Sequence, residues 1–181
     1  MDLLRGRVHR MEALIDGILQ YSRAGRVKAK PELIDVGIMV REVVELLSPR
    51  EGIAVDVMPE MPTVKTERVP LQQVFLNLIG NAIKHTGSEE PLIQVAWRDR
   101  EAFVEFSVCD NGQGIAPQYH ERIFGIFQTL EARDKVEGTG IGLSVVKKIV
   151  ETKGGRVWVE SDIGQGAAFR FLWPRNEISG E

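Results

Sequence analysis

Gly138-Thr139-Gly140-Ile141-Gly142-Leu143 runs directly into Ser144-Val145-Val146-Lys147-Lys148-Ile149-Val150. The apolar positions after the glycines predict a helix over 143–152, ended by Gly154-Gly155. Glycines ahead of a helix N-terminus leave backbone N–H groups and the positive dipole end facing an anion, which suits a phosphate chain. Two familiar phosphate-binding frames do not fit. The spacing is G-x-G-x-G, residues 131–137 before it are charged rather than strand-like, and no P-loop lysine follows. The fold must therefore present phosphate to this helix in some other way.

Working outward, Asp110-Asn111-Gly112-Gln113-Gly114-Ile115 follows a strand pattern directly. Its glycines free the backbone for a tight turn near a ligand, and an aspartate at the strand end can accept a hydrogen bond from an exocyclic amine such as that of adenine. Taken alone, an Asx-turn closing a hairpin explains it equally well. Upstream, a long helix is predicted over 70–85, with Pro70 as its first residue. Val74, Phe75, Leu78, Ile79, Ala82 and Ile83 make it apolar, yet Asn77, Asn81 and Lys84 share one face, with Gln73 one turn earlier. A carboxamide oxygen is a hard neutral ligand suited to Mg²⁺, and Lys84 could reach a phosphate as a point charge. A solvated polar edge is the plain alternative for this stripe.

The remaining periods set the architecture. Residues 3–24 read as an amphipathic helix through Leu4, Val8, Met11, Leu14, Ile15, Ile18 and Leu19, which needs a partner to bury its stripe. Met1 stands on this pattern without an N-cap, which suggests a piece of a longer protein. A linker follows over 25–31. Strands are expected at 32–36, 53–58, 91–98, 102–109, 156–160 and 167–173, with a helix over 37–47 and a break at 59–63. The sum is an α/β (α+β) two-layer sandwich, a mixed sheet with helices on one face. Cys109 is expected as a small buried strand residue. It is the only cysteine, so an internal disulfide and a cysteine-rich metal site are excluded. A net charge of −3 argues against binding nucleic acid or an anionic membrane. No apolar run reaches the length of a membrane span, and a soluble, cytoplasmic domain is expected.

Each segment is ambiguous alone, but their order is specific. An Asn-rich helix, Asp-x-Gly-x-Gly after a strand, Ile123-Phe124-Gly125-Ile126-Phe127, Gly-x-Gly-x-Gly before a helix and a final Gly164-Gln165-Gly166 resemble the N, G1, F, G2 and G3 boxes of sensor histidine kinases of two-component systems. Residues 4–26, ending Leu19-Gln20-Tyr21-Ser22-Arg23, resemble the second helix of that family's dimerisation and phosphotransfer hairpin. Residues 138–158 are particularly similar to kinases with phytochrome- or PAS-type sensors. The resemblance implies a hairpin helix plus linker at 1–30, a Bergerat-type catalytic ATP-binding domain at 31–175 and a tail at 176–181. It implies ATP and Mg²⁺ as cofactors, with Asn81 as the metal ligand supported by Asn77. Lys84 and His85 line the phosphate and ribose side, Asn81 and Lys84 being the catalytic pair. Asp110 bonds the adenine amine, Gly112, Gly114 and Ile115 shape the base pocket, and Phe127 is a further nucleotide-binding residue. Gly138, Thr139, Gly140, Ile141, Gly142 and Leu143 hold the phosphates and hinge a lid over 128–137. Thr129 stands where many relatives carry a basic residue, leaving lid charge to Arg133 or Lys135. Ala167 and Ala168 replace a frequent hydroxyl.

Within the wider superfamily, ATPases place a glutamate one turn before the Mg-binding Asn. Here that turn carries Asn77, and an amide cannot accept a proton at neutral pH. This favours a kinase over a hydrolase. The implied reaction is in-line transfer of the γ-phosphoryl to a histidine, then relay to a response-regulator aspartate. His9, His85 and His120 lack the expected acceptor context, so the chain is expected to bind Mg-ATP without phosphorylating itself. Expected partners are ATP or ADP, a histidine-bearing hairpin, a response regulator receiver domain and, in the full-length protein, a second copy. The alternative is a regulatory nucleotide-binding module, degenerate or anti-sigma-factor-like, that acts by docking.

Overall fold

The computed structural model describes residues 2–24, 29–128 and 139–176. Helix α1 (Asp2–Arg23) precedes strand β1 (Glu32–Asp35), helix α2 (Val36–Leu47), strands β2 (Ala54–Val57) and β3 (Thr63–Thr66), and helix α3 (Arg68–Lys84). Strands β4 (Leu92–Arg100) and β5 (Phe103–Asp110) form a hairpin. Short 3-10 turns follow at Pro117–Tyr119 and Arg122–Phe124, then helix α4 (Gly142–Thr152) and strands β6 (Val157–Ser161) and β7 (Ala167–Pro174). The main sheet has the order β2-β4-β5-β7-β6; β2 runs parallel to β4 and the other neighbours are antiparallel.

Alternation decides which face is covered. Val104, Phe106 and Val108 of β5 and Phe169, Phe171 and Trp173 of β7 point toward the helices and are buried. Phe75 of α3 meets Phe106 and Phe171 edge-on, with ring centroids 5.3 and 5.4 Å apart. Edge-to-face pairs of this kind add about 0.5–1.5 kcal/mol beyond area burial. The expected two-layer arrangement is thus present, with α2, α3 and α4 supplying the helical layer.

Three expectations require correction. Residues 63–66, assigned to a break and the segment after it, form β3, which pairs antiparallel with β1 in a separate two-stranded sheet. The Trp173 indole N–H donates to Thr66 Oγ1 at 3.1 Å and ties this small sheet to β7. Helix α3 begins at Arg68, so Pro70 sits inside the first turn; it is tolerated there because first-turn amides have no intrahelical acceptor. Cys109 is half-buried on the sheet's outer face rather than in the core, because alternation turns it away from Val108. Burial still raises its thiol pKa, against the opposing charge of Arg170.

That outer face is polar. Glu105 is nearly buried there between Arg100, at 2.7 Å, and Arg170, at 3.3 Å, and Arg170 continues to Glu160 at 2.8 Å. The two guanidinium groups offset the cost of taking this carboxylate out of water. No helix among the described residues is long and apolar enough to cross a membrane.

Candidate nucleotide site

At the end of β5 the Asp110 carboxylate accepts the Gly112 N–H at 2.9 Å. Burial raises the Asp110 pKa, against the opposing pull of the Gly112 and Ala167 amides and the His85 charge. The carboxylate therefore holds its proton to a higher pH than an exposed aspartate does. A Cβ at Gly112 would lie 2.8 Å from Asp110 Oδ1 and collide with the His85 carbonyl, so only glycine lets this turn reach the C-terminal end of α3.

Residues 110–115 are fastened to residues 161–166. The Ser161 hydroxyl accepts the Ile115 N–H at 2.7 Å and donates to the Gly166 carbonyl at 2.6 Å. The Gly164 N–H donates to the Gln113 carbonyl at 2.6 Å. Gly114 and Gly166 both take left-handed φ, at 73° and 72°, with the carbonyls of Asp162 and Asp110 where a Cβ would sit. Two glycine segments distant in sequence thus form one interlocked wall. Ser161 is its central polar group, and sequence reasoning missed it: a lone serine at a strand end carries no motif.

Along α3, Asn77 and Asn81 are half-buried, while Lys84 and His85 are exposed. The Asn77 amide donates to the Gln73 carbonyl one turn back at 2.9 Å, which turns its oxygen toward α4. A Cβ on Gly142 would lie 3.0 Å from that oxygen, so the first residue of α4 abuts the asparagine stripe. No side chain caps this end of α4. Ile141 is buried, and its carbonyl accepts the Val145 N–H at 3.0 Å and the Ser144 hydroxyl at 2.6 Å. Gly140, at φ 68°, packs against the backbone of Phe127 and Gln128. Thr139 and Leu143 flank this segment and are half-buried, and the Phe127 side chain is exposed. Helix α3 thus meets the Asp110–Gly112 turn at its C-terminal end, through His85, and the start of α4 two turns earlier, through Asn77, while Gly140 meets Phe127. Gly138, Lys135, Thr129 and Arg133 lie outside the described residues.

Residues 66–177 match the family model described as histidine kinase-, DNA gyrase B-, and HSP90-like ATPase. The chain belongs to this family. Among relatives, the phytochrome-like protein Cph1 of Synechocystis sp. is 43% identical over 169 residues, covering 91% of this chain and 22% of its own length. The adaptive-response sensory kinase SasA of Parasynechococcus marenigrum is 34% identical over 180 residues, covering 96% of this chain and 47% of its own. This chain thus spans about a fifth of the first relative and half of the second. In structure it resembles full-length ShkA in complex with AMPPNP, with TM-score 0.79, 31% identity and coverage of 99% of this chain and 39% of that one. Histidine kinase ThkA in complex with response regulator TrrA gives TM-score 0.72 at 27% identity, over 96% of this chain and 50% of that one. The chain is a histidine-kinase-type catalytic ATP-binding unit, and the expected fold and family stand.

Against this kinase-type ATPase core lies α1. The Lys148 ammonium donates to the Tyr21 carbonyl at 2.7 Å and sits 4.3 Å from the centre of its ring. Gly17 is buried against Ile141. Within the linker, the Ala29 N–H donates to Glu67, which also pairs with Lys153. The other edge of α1 leaves Val8, Met11, Ile15, Ile18 and Leu19 exposed. His9 is exposed and lies 3.4 Å from Glu12, while a His120 ring nitrogen is 3.0 Å from the Ile115 carbonyl. Both positions agree with surface and packing roles.

Proposed function

We propose that this chain presents Mg-ATP to a histidine carried on a helical hairpin, transferring the γ-phosphoryl for later relay to a response-regulator aspartate. The observation that carries this reading is the meeting of the asparagine stripe of α3 with the uncapped start of α4 at Gly142. Phosphate oxygens placed there would take backbone N–H donors and Lys84, while the carboxamide oxygens of the stripe would serve a cation that the phosphates bring with them.

Asp110 accepts the adenine amine, with Gly112, Gly114 and Ile115 walling the base and His85 at the ribose side. Phe127 and Thr139 to Leu143 border the phosphate end. Asn81 holds the magnesium ion, with Asn77 alongside. The donor set fits: Asn81 offers one hard neutral oxygen, and among the described residues no cluster of three or more His, Cys, Asp or Glu stands ready to hold an ion instead. When bound, the ion would neutralise charge on the β- and γ-phosphate oxygens. Asn77 cannot activate water, since its amide takes no proton and its N–H is committed to Gln73. The site thereby holds ATP for an incoming imidazole, whose Nε2 attacks phosphorus in line while ADP leaves. Within the whole protein the apolar edge of α1 would pair with that hairpin or with a second copy, on the cytoplasmic side.

Thermal melting with ADP and Mg²⁺ tests the site, because a ligand that binds only the native state raises the midpoint. No shift at millimolar nucleotide would refute the reading and favour a docking module. Adding a separately expressed histidine-bearing hairpin with labelled ATP tests the transfer. The expected product is acid-labile phosphate on the hairpin; label on His9 or His120 would overturn the assignment.

A further inference from the structure

Helix α1 meets α4 at its start and in its middle, and the linker after α1 reaches the end of α4 through Glu67. Gly17 lies over Ile141, the residue before α4 begins; Tyr21 lies over Lys148; and the chain at Ala29 reaches Glu67, which holds Lys153 where α4 finishes. The contacts advance in the same order along both helices, from Gly17 against Ile141 to Tyr21 against Lys148. A Cβ at 17 would come within 2.6 Å of Ile141 Cδ1, the movable end of that side chain, and 3.4 Å from Ile141 Cβ. Alanine there requires only that the Ile141 methyl turn aside, whereas a side chain as large as leucine must lift one helix or push Ile141 outward. Ile141 is 1% exposed, and its far side continues through Gly140 to the Phe127–Gln128 backbone and through Gly142 to Asn77.

From this we infer that α1 docking and nucleotide binding reinforce one another through Ile141, so that displacing α1 weakens the hold on the nucleotide phosphates. The inference rests on the proposed nucleotide site. With α1 docked, Ile141 is fixed on its apolar side, and the amides that follow it are held in the geometry a phosphate chain needs. With α1 lifted, Ile141 faces water and the start of α4 loses that support. Coupling of this kind is reciprocal: a nucleotide that orders the start of α4 must favour the docked α1 by the same factor. Lys148 supplies the directional part of the seam, because its ammonium is shared between the Tyr21 carbonyl and the Tyr21 ring.

The test uses the whole chain with Cys109→Ser, spin-labelled at Gln20→Cys on α1 and Glu151→Cys on α4, both exposed positions. Mg-ADP is expected to shorten and narrow the distance distribution. Gly17→Leu is expected to lengthen it and weaken ADP binding about five- to tenfold, and Lys148→Ala to do the same about threefold. Gly17→Leu leaving the labels in place would overturn the inference. So would a displaced α1 with ADP affinity within twofold of the parent, or ADP binding that leaves the distances unchanged. Absence of ADP binding in the parent would be a different result, refuting the nucleotide site and this inference together.

Discussion

The base end and the phosphate end of the proposed site are both rich in glycine, yet they are built differently. At the base end, glycines fit against the protein's own backbone: Gly114 against Asp162, Gly166 against Asp110, with Ser161 bonded to both segments. At the phosphate end, Gly142 faces a side-chain amide, and α4 begins without a cap. The first arrangement spends its polar groups on itself; the second leaves donors for something else. Glycine substitutions at the base end should therefore cost stability first, and those at the phosphate end should cost ligand more than stability.

Gly166→Ala is the strongest challenge to that contrast. A Cβ in the left-handed region, aimed at the Asp110 carbonyl, should lower unfolding stability by about 3 kcal/mol, read by urea denaturation. A loss below about 1 kcal/mol would show the wall to be pliable. Asp110→Asn should weaken ADP binding about 10- to 100-fold, the worth of one charge-assisted hydrogen bond, with little change in melting. Its pH dependence sharpens the point. Because burial raises the Asp110 pKa, the native carboxyl keeps its proton where the unfolded chain has lost it. Ionisation therefore reduces stability as pH rises from the unfolded-state value through the raised one. Over the same interval ADP affinity should climb, since the adenine amine needs an ionised acceptor. Titration calorimetry of the parent should show this climb, and Asp110→Asn should flatten it.

Ser161→Ala should cost about 1–2 kcal/mol, the value of two short hydrogen bonds at a half-buried hub, and only secondarily affect nucleotide. The smallest stability effect belongs to Gly142→Ala. Alanine's better helix propensity, about 1 kcal/mol, offsets the push on Asn77 Oδ1, so melting should barely move while ADP affinity falls about threefold. Equal melting losses at Gly142 and Gly166 would abolish the distinction between the two ends.

Much of this was legible because it depends on short-range pattern. The α3 stripe, the β4–β5 hairpin and the inward faces of β5 and β7 follow from periods of 3.6 and 2. What escaped depends on distant partners. Strand β3 has one buried apolar residue, Val64, and exists because Glu32 to Asp35 lie opposite it. Cys109 shares its strand with the inward Val104, Phe106 and Val108, and its opposite parity leaves it half-buried on the outer face instead of buried. Nothing local identifies Ser161 as the tie between two glycine segments, or Gly17 as the contact for Ile141. A glycine in a helix looks like a weakness until the surface it lies against is known.

Strand β7 carries a consequence for the evolution of the site. Its side chains alternate inward and outward without interruption, and Asp110 pairs with Ala167, one residue past Gly166. A slip of a single residue would turn Phe169, Phe171 and Trp173 to solvent, so this register is enforced by the whole core. The position of Gly166 beneath Asp110 comes with it. The site's spacing is thus set by a hydrophobic ruler outside the site, and residues around the nucleotide can change while that ruler keeps the distance fixed.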